Sequence, residues 1–297
     1  MSIEQTYKDI KSLKIQGASN ISDSAIKEIK ILVKNSTAKK PHLLTEEIES
    51  SIERLKSARP TEPETENYLN YINYFSKRVV TQKISELKKE IIKEINNIEE
   101  QKEKSTLLII KNAQKLIKGN QKIFTHCHST TVMEILKFAH RSKNIRVNNT
   151  ETRPLFQGRI TAKELSEAKI PVEHYTDTAA RIAIKDSDII LIGADSIIHN
   201  KVYNKIGSEM ISIIAKNEKV PVYICASLMK FTNHREEVEN RHPNEVWKDA
   251  PKGIHINNPA FEKINFKYIK GIICEKGILK PKQFVKEARK MLKKFSL

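Results

Sequence analysis

Cysteine is scarce: the 297 residues hold three, Cys127, Cys225 and Cys274, far apart and odd in number. No CxxC pair exists, so neither a zinc site of ordinary spacing nor a disulfide framework is supported. Glycine and proline are sparse, at 8 and 10 residues, which excludes a collagen-like fibre. Aromatic residues make up 6% of the chain. No aromatic stacking platform accompanies the basic residues, as single-stranded nucleic-acid binding would require. No apolar run approaches the ~20 residues of a membrane-spanning helix, and the first sixteen residues contain no apolar signal core. These absences point to a soluble protein of a reducing cytoplasm with no membrane partner.

What is present is charge. There are 53 Lys+Arg against 36 Asp+Glu, a formal net charge of +17, and 39% of residues are hydrophobic. That apolar share supports a buried core and excludes a disordered chain. The charge by itself suggests an anionic partner. The basic residues are, however, spread over all the helical stretches and interleaved with Glu, so a nucleic-acid partner is not expected. The Glu- and Lys-dense stretch from Lys83 to Lys104 reads as a solvated helix face.

The chain changes rhythm near residue 120. Before it, apolar residues recur at three and four: Ile26, Ile29, Ile31 and Leu32; Ile48, Ile52 and Leu55; Leu87, Ile91, Ile95 and Ile98. This is helix periodicity. Breaks fall at Gln16–Asn20 and at Ala58–Pro63, and residues 1–119 read as a helical domain of about five helices. After Gly119, short apolar runs read as strands at Lys122–Thr125, Ile145–Asn148, Val172–Tyr175, Asp188–Ile192, Val220–Cys225 and Gly271–Cys274. Helical patterns lie between them at Thr130–Ser142, Thr161–Ala168, Thr178–Ile184, Ser208–Lys216 and Lys282–Phe295. Such alternation predicts an α/β domain over residues 120–297, a parallel sheet with helices on both faces. Sheets of this kind bind ligands beyond the carboxyl ends of their strands.

The post-strand segments carry an unusual polar set. Cys127 lies between His126 and His128 at the mouth of a helix, where backbone N–H groups favour a thiolate. Asp195 leaves the most hydrophobic strand, Ile189–Ile192; the turn chemistry of Gly193–Ser196 gives it a duller reading as a cap. Arg153 and Arg159 sit in a loop shaped by Pro154 and Gly158, and Arg suits bidentate phosphate recognition. Lys205 and Lys230 lie in similar segments. Cys225 and Cys274, within apolar strands, read as small buried hydrophobes. His126 and His128 read as positioning or packing residues, because no carboxylate spacing makes them metal ligands.

Taken together, Asn149-Thr150-Glu151-Thr152-Arg153-Pro154 with Gln157-Gly158, Gly193-Ala194-Asp195-Ser196 and Asn204-Lys205-Ile206-Gly207-Ser208 resemble a sugar-phosphate isomerase family. That family includes isomerases of methylthioribose 1-phosphate and of ribose 1,5-bisphosphate, and regulatory subunits of the eukaryotic exchange factor of translation initiation. The resemblance extends to Ile15–Ser19, Ala58–Thr61 and Asn258–Phe261, nearly the whole chain. It implies an N-terminal helical domain followed by a Rossmann-like domain. It also implies Cys127 and Asp195 as catalytic residues, where the translation subunits usually lack the Cys and often carry Glu for the Asp. The His-Cys-His-Ser run and the segment from Tyr268 to Ile278 look most like the ribose-bisphosphate branch. The implied reaction is the aldose-to-ketose conversion of ribose 1,5-bisphosphate to ribulose 1,5-bisphosphate in nucleotide (AMP) degradation.

By the same resemblance Gly17, Ala18, Ser19, Arg59, Arg153 and Lys230 bind phosphate, and Asn204 and Lys205 contact the sugar. Gln16 stands where the family often has Arg, which leaves the first grip to backbone amides and Ser19. No metal or nucleotide cofactor is implied, since neither a carboxylate cluster nor a Gly-rich dinucleotide loop is present. The resemblance implies a nucleoside monophosphate activator and a homo-oligomer, dimer or hexamer. Two alternatives stay open at this level: a non-catalytic regulatory subunit that binds a translation initiation factor, and a methylthioribose-1-phosphate isomerase.

Overall fold

A computed structural model describes residues 2–233 and 239–294. Contacts along the backbone divide the chain into two compact units. The first holds residues 1–105, 229–231 and 287–297, and the second holds 106–228 and 232–286.

Among the described residues, the helices that begin in the first unit are α1 (Ile3–Lys11), α2 (Ala18–Asn35), α3 (Pro41–Lys56), α4 (Pro63–Arg78) and α5 (Ile84–Ala113). Their starts follow local chemistry. Ser2 caps α1 by accepting from the Gln5 N–H at 3.2 Å. Proline opens α3 and α4, where its missing N–H costs nothing. Gly17, at φ 85°, turns the chain into α2. The periodic apolar residues face inward as their spacing predicts: Ile26, Ile29, Ile48, Ile52, Leu87, Ile91, Ile95 and Ile98 are all buried. Each such side chain contributes about 1.5–3 kcal/mol of burial. Part of the excess lysine makes cross-helix ion pairs, Lys30 to Glu99 and Lys102 to Asp23, both at 2.6 Å. Residues 229–231 join this unit through Asn67, whose Nδ2 donates to the carbonyls of Met229 (2.8 Å) and Phe231 (3.0 Å).

The second unit is built on a seven-stranded sheet. Its members are β1 (Lys122–Thr125), β2 (Arg146–Thr150), β3 (Val172–Tyr175), β4 (Ile189–Ile192), β7 (Val222–Cys225), β9 (Gly271–Cys274) and β10 (Gly277–Leu279), in the order β10-β9-β7-β4-β1-β2-β3. All neighbours run parallel except β10 against β9. The helices α6 (Thr130–Lys143), α7 (Gln157–Glu167), α8 (Ala180–Lys185) and α9 (Ser208–Asn217) alternate with the strands, and α10 (Pro281–Lys294) follows them. Phe295, expected at the end of α10, lies outside the described residues. Both faces of the sheet are covered. Val147 and Leu191 pack with Val132, Leu136 and Leu165 of α6 and α7. Asn148, pointing the other way, donates from Nδ2 to the Ala183 carbonyl of α8 at 3.1 Å.

Two features depart from the expectation. Helix α5 crosses the expected boundary at 119/120, and its end belongs to the second unit from Thr106 on. The reason is burial: Ile109, Ile110 and Ala113 join Ile123 and Val147 in the core of the sheet. The second departure is a small antiparallel sheet of β5 (Ser196–Ile197), β6 (Lys201–Lys205) and β8 (Phe261–Asn265), in the order β5-β6-β8. Val202–Ser208 reads in the sequence as a loop after a strand; its first residues are in fact strand β6. No helix among the described residues is long and apolar enough to cross a membrane.

Candidate functional site

The strand order reverses at β1, whose neighbours are β4 on one side and β2 on the other. From there β2 and β3 are added toward one edge of the sheet, and β4, β7 and β9 toward the other, all parallel. A crevice opens at such a reversal, beyond the carboxyl ends of the two adjacent strands. Here those strands are β1 and β4, in register Ile123 to Ile189 and Phe124 to Ile190. Cys127 follows β1 and Asp195 follows β4, so the topology delivers the thiol and the carboxylate to neighbouring strand ends. The loops come close enough to restrict residue choice. A Cβ on Gly193 would lie 2.7 Å from Ser129 Oγ, and one on Gly207 would lie 3.0 Å from His126 Nε2.

Sheet β5-β6-β8 supplies the next two residues. Asn204 and Lys205 sit on β6 opposite Glu262 and Phe261 of β8. Asn204 Nδ2 donates to Ser208 Oγ at 2.9 Å. Lys205 is only 5% exposed. Burial pushes its ammonium below the ordinary value; the charges of Cys127, Asp195 and Glu245 pull the other way, while Arg241 adds to the depression. The ammonium is therefore within electrostatic reach of both the thiol and the carboxylate, in a poorly solvated place where such interactions are strong.

The run Asn149–Gly158 is mostly scaffold for this arrangement. Asn149 Nδ2 donates to the Gly158 carbonyl at 2.7 Å, holding the start of α7. Gly158 is required by close approach, because a Cβ there would lie 1.7 Å from the Thr150 carbonyl oxygen. Thr150 Oγ1 lies 2.6 Å from His126 Nδ1. His126 is fully buried, and burial pushes its pKa down. Its Nε2 faces the Ile206 carbonyl at 2.9 Å and so carries the proton, which makes Nδ1 the acceptor of the Thr150 hydroxyl. His126 thus ties the loop after β1 to the end of β2 and to the turn after β6.

Cys127 is half-buried and adopts the left-handed conformation at φ 65°. Its N–H donates to Thr152 Oγ1 at 3.0 Å, and its carbonyl accepts from Thr161 Oγ1 at 2.8 Å. Left-handed backbone costs an ordinary L-residue about 1–2 kcal/mol, which two hydrogen bonds at about 0.5–1.5 kcal/mol each can offset. Thr152 is itself left-handed, at φ 61°. Asp177 pins that turn by accepting from the N–H groups of Thr152 (2.9 Å) and Arg153 (2.7 Å). The bond from Arg153 to Pro154 is cis. His128 Nδ1 lies 3.0 Å from Thr161 Oγ1 and, with that hydroxyl proton already given to Cys127, is the donor. Burial lowers the His128 pKa, with Glu164 opposing and Lys137 assisting.

The remaining sequence-predicted residues fall as follows. Arg153 is exposed, donates to the Val246 carbonyl at 3.2 Å and lies 5.0 Å from the Phe156 ring centroid. Arg159 pairs with Glu151 at 3.1 Å and stacks on Phe156 at 3.6 Å. Gly17, Ala18, Ser19, Arg59 and Lys230 belong to the first unit. Gly17–Ser19 form the N-terminus of α2, whose first turn carries no acidic residue. Arg59 lines a cleft of about 230 Å³ with Lys56, Ser57 and Thr65, and pairs with Glu62 at 3.4 Å. Thr65 Oγ1 is buried there without a hydrogen-bond partner. Lys230 is 6% exposed and lies 3.9 Å from Glu64. Cys225 and Cys274 are fully buried, and burial pushes the Cys274 thiol up to about 12.

Sequence reasoning missed Thr152, Thr161 and Asp177 as supports of Cys127, and Thr150 as the partner of His126. Their signal was present in the dense threonine of Thr150–Thr152. The pairing of those hydroxyls across strand ends was not visible from spacing.

Known proteins bear out the architecture. A ribose 1,5-bisphosphate isomerase of Pyrococcus furiosus is 37% identical over 92% of this chain and 88% of its own length. One from Methanocaldococcus jannaschii is 35% identical, over 94% of this chain and 92% of its own. The solved structure of 5-methylthioribose 1-phosphate isomerase from Pyrococcus horikoshii superposes with a TM-score of 0.84 at 25% identity, covering 98% of this chain and 88% of that one. A Pyrococcus horikoshii structure described as translation initiation factor eIF-2B gives 0.80 at 25% identity, over 95% and 98%. The family model of the initiation factor 2 subunits matches residues 14–281, and this chain belongs to that family.

Proposed function

We propose that this protein is an aldose–ketose isomerase converting ribose 1,5-bisphosphate to ribulose 1,5-bisphosphate. The observation that carries the reading is the strand reversal between β1 and β4, with Cys127 in the segment after one strand and Asp195 in the segment after the other. Relatives named for this reaction, 29–37% identical over most of the chain, support it.

The reaction needs no net oxidant. Ring opening breaks the bond from C1 to the ring oxygen, which takes up one proton. Hydrogen then moves from C2 to C1, and the C2 hydroxyl releases its proton to become the carbonyl. One proton enters and one leaves, so an acid and a base at fixed positions suffice. Cys127 takes the acid/base role at the sugar carbons, and Asp195 handles the hydroxyl protons. Lys205, buried at the end of β6, stabilises negative charge that develops on the C2 oxygen, and Asn204 contacts the sugar. Phosphate recognition falls to Arg153 in the second unit. In the first it falls to Arg59, Lys230 and the Gly17-Ala18-Ser19 turn, where free N–H groups at a helix start suit an anion. A nucleoside monophosphate activator, a cytoplasmic homo-oligomer and a place in nucleotide degradation complete the reading.

The test is turnover. Purified protein is incubated with ribose 1,5-bisphosphate and, in parallel, with methylthioribose 1-phosphate. Ribulose 1,5-bisphosphate formed by the wild type, and lost in Cys127→Ser and Asp195→Asn with unchanged melting, supports the assignment. Product from the second sugar alone moves the substrate and keeps the chemistry. Absence of product from either, with co-purification of an initiation factor, overturns it in favour of a regulatory subunit.

A further inference from the structure

We propose that Thr152 and Thr161 are positioning residues that hold Cys127 in its left-handed conformation and so fix where its thiol points. The proposal rests on the reading of Cys127 as the acid/base group. Cys127 has a side chain in a region of backbone space that side chains disfavour, at φ 65°. Such a conformation persists only where the surroundings over-determine it. The two hydroxyls do this from opposite sides of one residue. Thr152 Oγ1 accepts the Cys127 N–H at 3.0 Å, and Thr161 Oγ1 donates to the Cys127 carbonyl at 2.8 Å.

Each hydroxyl is itself held. Thr152 is fully buried, lies 3.4 Å from the Thr150 carbonyl as its donor, and has its own N–H bound by Asp177. Thr161 is 1% exposed and accepts from His128 Nδ1 at 3.0 Å. Both threonines bond Cys127 at its backbone, so their action passes through that backbone. Replacing either by valine keeps the branched shape and the volume but removes the oxygen. A Cys127 N–H or carbonyl then loses its buried partner. The strained φ relaxes, and the sulfur moves with the backbone that carries it.

The experiment compares Thr152→Val, Thr161→Val, Thr152→Ser and Thr161→Ser with the wild type and Cys127→Ser. The valine variants are expected to lower kcat at least thirtyfold with KM changed less than threefold. The serine variants, which keep the oxygen, are expected within fivefold of wild-type kcat. Valine variants that keep kcat within threefold, beside an inactive Cys127→Ser, overturn the proposal. If Thr152→Val does not fold, Thr161→Val decides alone.

A second readout separates this proposal from the reading it rests on. Iodoacetamide alkylation of Cys127, followed by mass spectrometry of its peptide, needs no turnover, and Cys225 and Cys274 are fully buried. A rate changed at least threefold in the valine variants but restored by serine supports positioning, even where Cys127→Ser retains isomerase activity and the catalytic reading fails. An unchanged alkylation rate in both valine variants overturns positioning whatever the activity does.

Discussion

Gly158→Ala adds one methyl group, and the structure places that methyl 1.7 Å from the Thr150 carbonyl oxygen, with the Thr150 and Glu151 carbonyl carbons at 2.8 and 2.9 Å. A carbon rests against a carbonyl oxygen at about 3.3 Å, so the start of α7 and the end of β2 must part by roughly 1.6 Å. All three near atoms are backbone, and no flexible side chain can give way. Parting strains the Gly158 N–H bond to the Glu151 carbonyl (3.1 Å), the Asn149 bond to the Gly158 carbonyl (2.7 Å) and the Thr150 bond to His126 (2.6 Å). Overpacking costs about 1–3 kcal/mol, and three weakened hydrogen bonds add about 0.5–1.5 kcal/mol each. A loss of about 2.5–7.5 kcal/mol follows, at least about 5 °C in melting temperature at about 2–4 °C per kcal/mol for a unit of this size. Gly119→Ala is the control. Its added Cβ meets nothing closer than 3.7 Å, and Gly119 does not need the left-handed region. It is expected to be neutral or stabilising by about 0.4–1 kcal/mol through the unfolded chain. Scanning calorimetry of both variants, with turnover measured on the same samples, makes the comparison. Melting temperatures of Gly158→Ala and Gly119→Ala within 2 °C of each other would refute the steric argument.

Lys205→Met removes the buried ammonium while keeping its length. Steady-state kinetics is expected to show kcat lowered about 10²–10³-fold, while melting stays level or rises because a desolvated charge is gone. Asp177→Asn places an amide where two N–H groups, of Thr152 and Arg153, expect a carboxylate. Denaturant unfolding should show a loss of about 1.5–3 kcal/mol, and kcat should fall with it. Asn67→Ala strips two carbonyls, of Met229 and Phe231, of their donor. A loss of about 1–3 kcal/mol is expected, with faster amide exchange at Lys230. His126 and His128 are both held below the ordinary value of 6.5 by burial. Below pH 6.5 the unfolded imidazoles bind protons that the folded ones resist, so stability falls as the pH drops from about 6.5 toward the depressed folded values. Melting curves from pH 7.5 to 5 should show this fall, and His128→Asn should reduce it.

The first unit's helices were legible because their apolar residues recur at three and four, with breaks at Gln16–Asn20 and Ala58–Pro63. The strands of the large sheet were legible because a parallel strand buried on both faces is written as a short apolar run, as in Ile189–Ile192. The β6 strand was not, since Lys201–Lys205 is half polar and becomes a strand only by pairing with Phe261–Asn265. The end of α5 was assigned to the helical half because periodicity is continuous there; which core receives Ile109 and Ala113 is a matter of packing.

The sequence by itself determined the α/β class and the polar loops at strand ends, because these are local properties of period and composition. Tertiary structure alone decided that β1 and β4 are neighbours, that Lys205 is buried, and that threonines 25 and 34 positions away bond the Cys127 backbone. Strand order and hydrogen bonds across loops depend on which long-range closures the whole core favours, and no short window of residues encodes that choice.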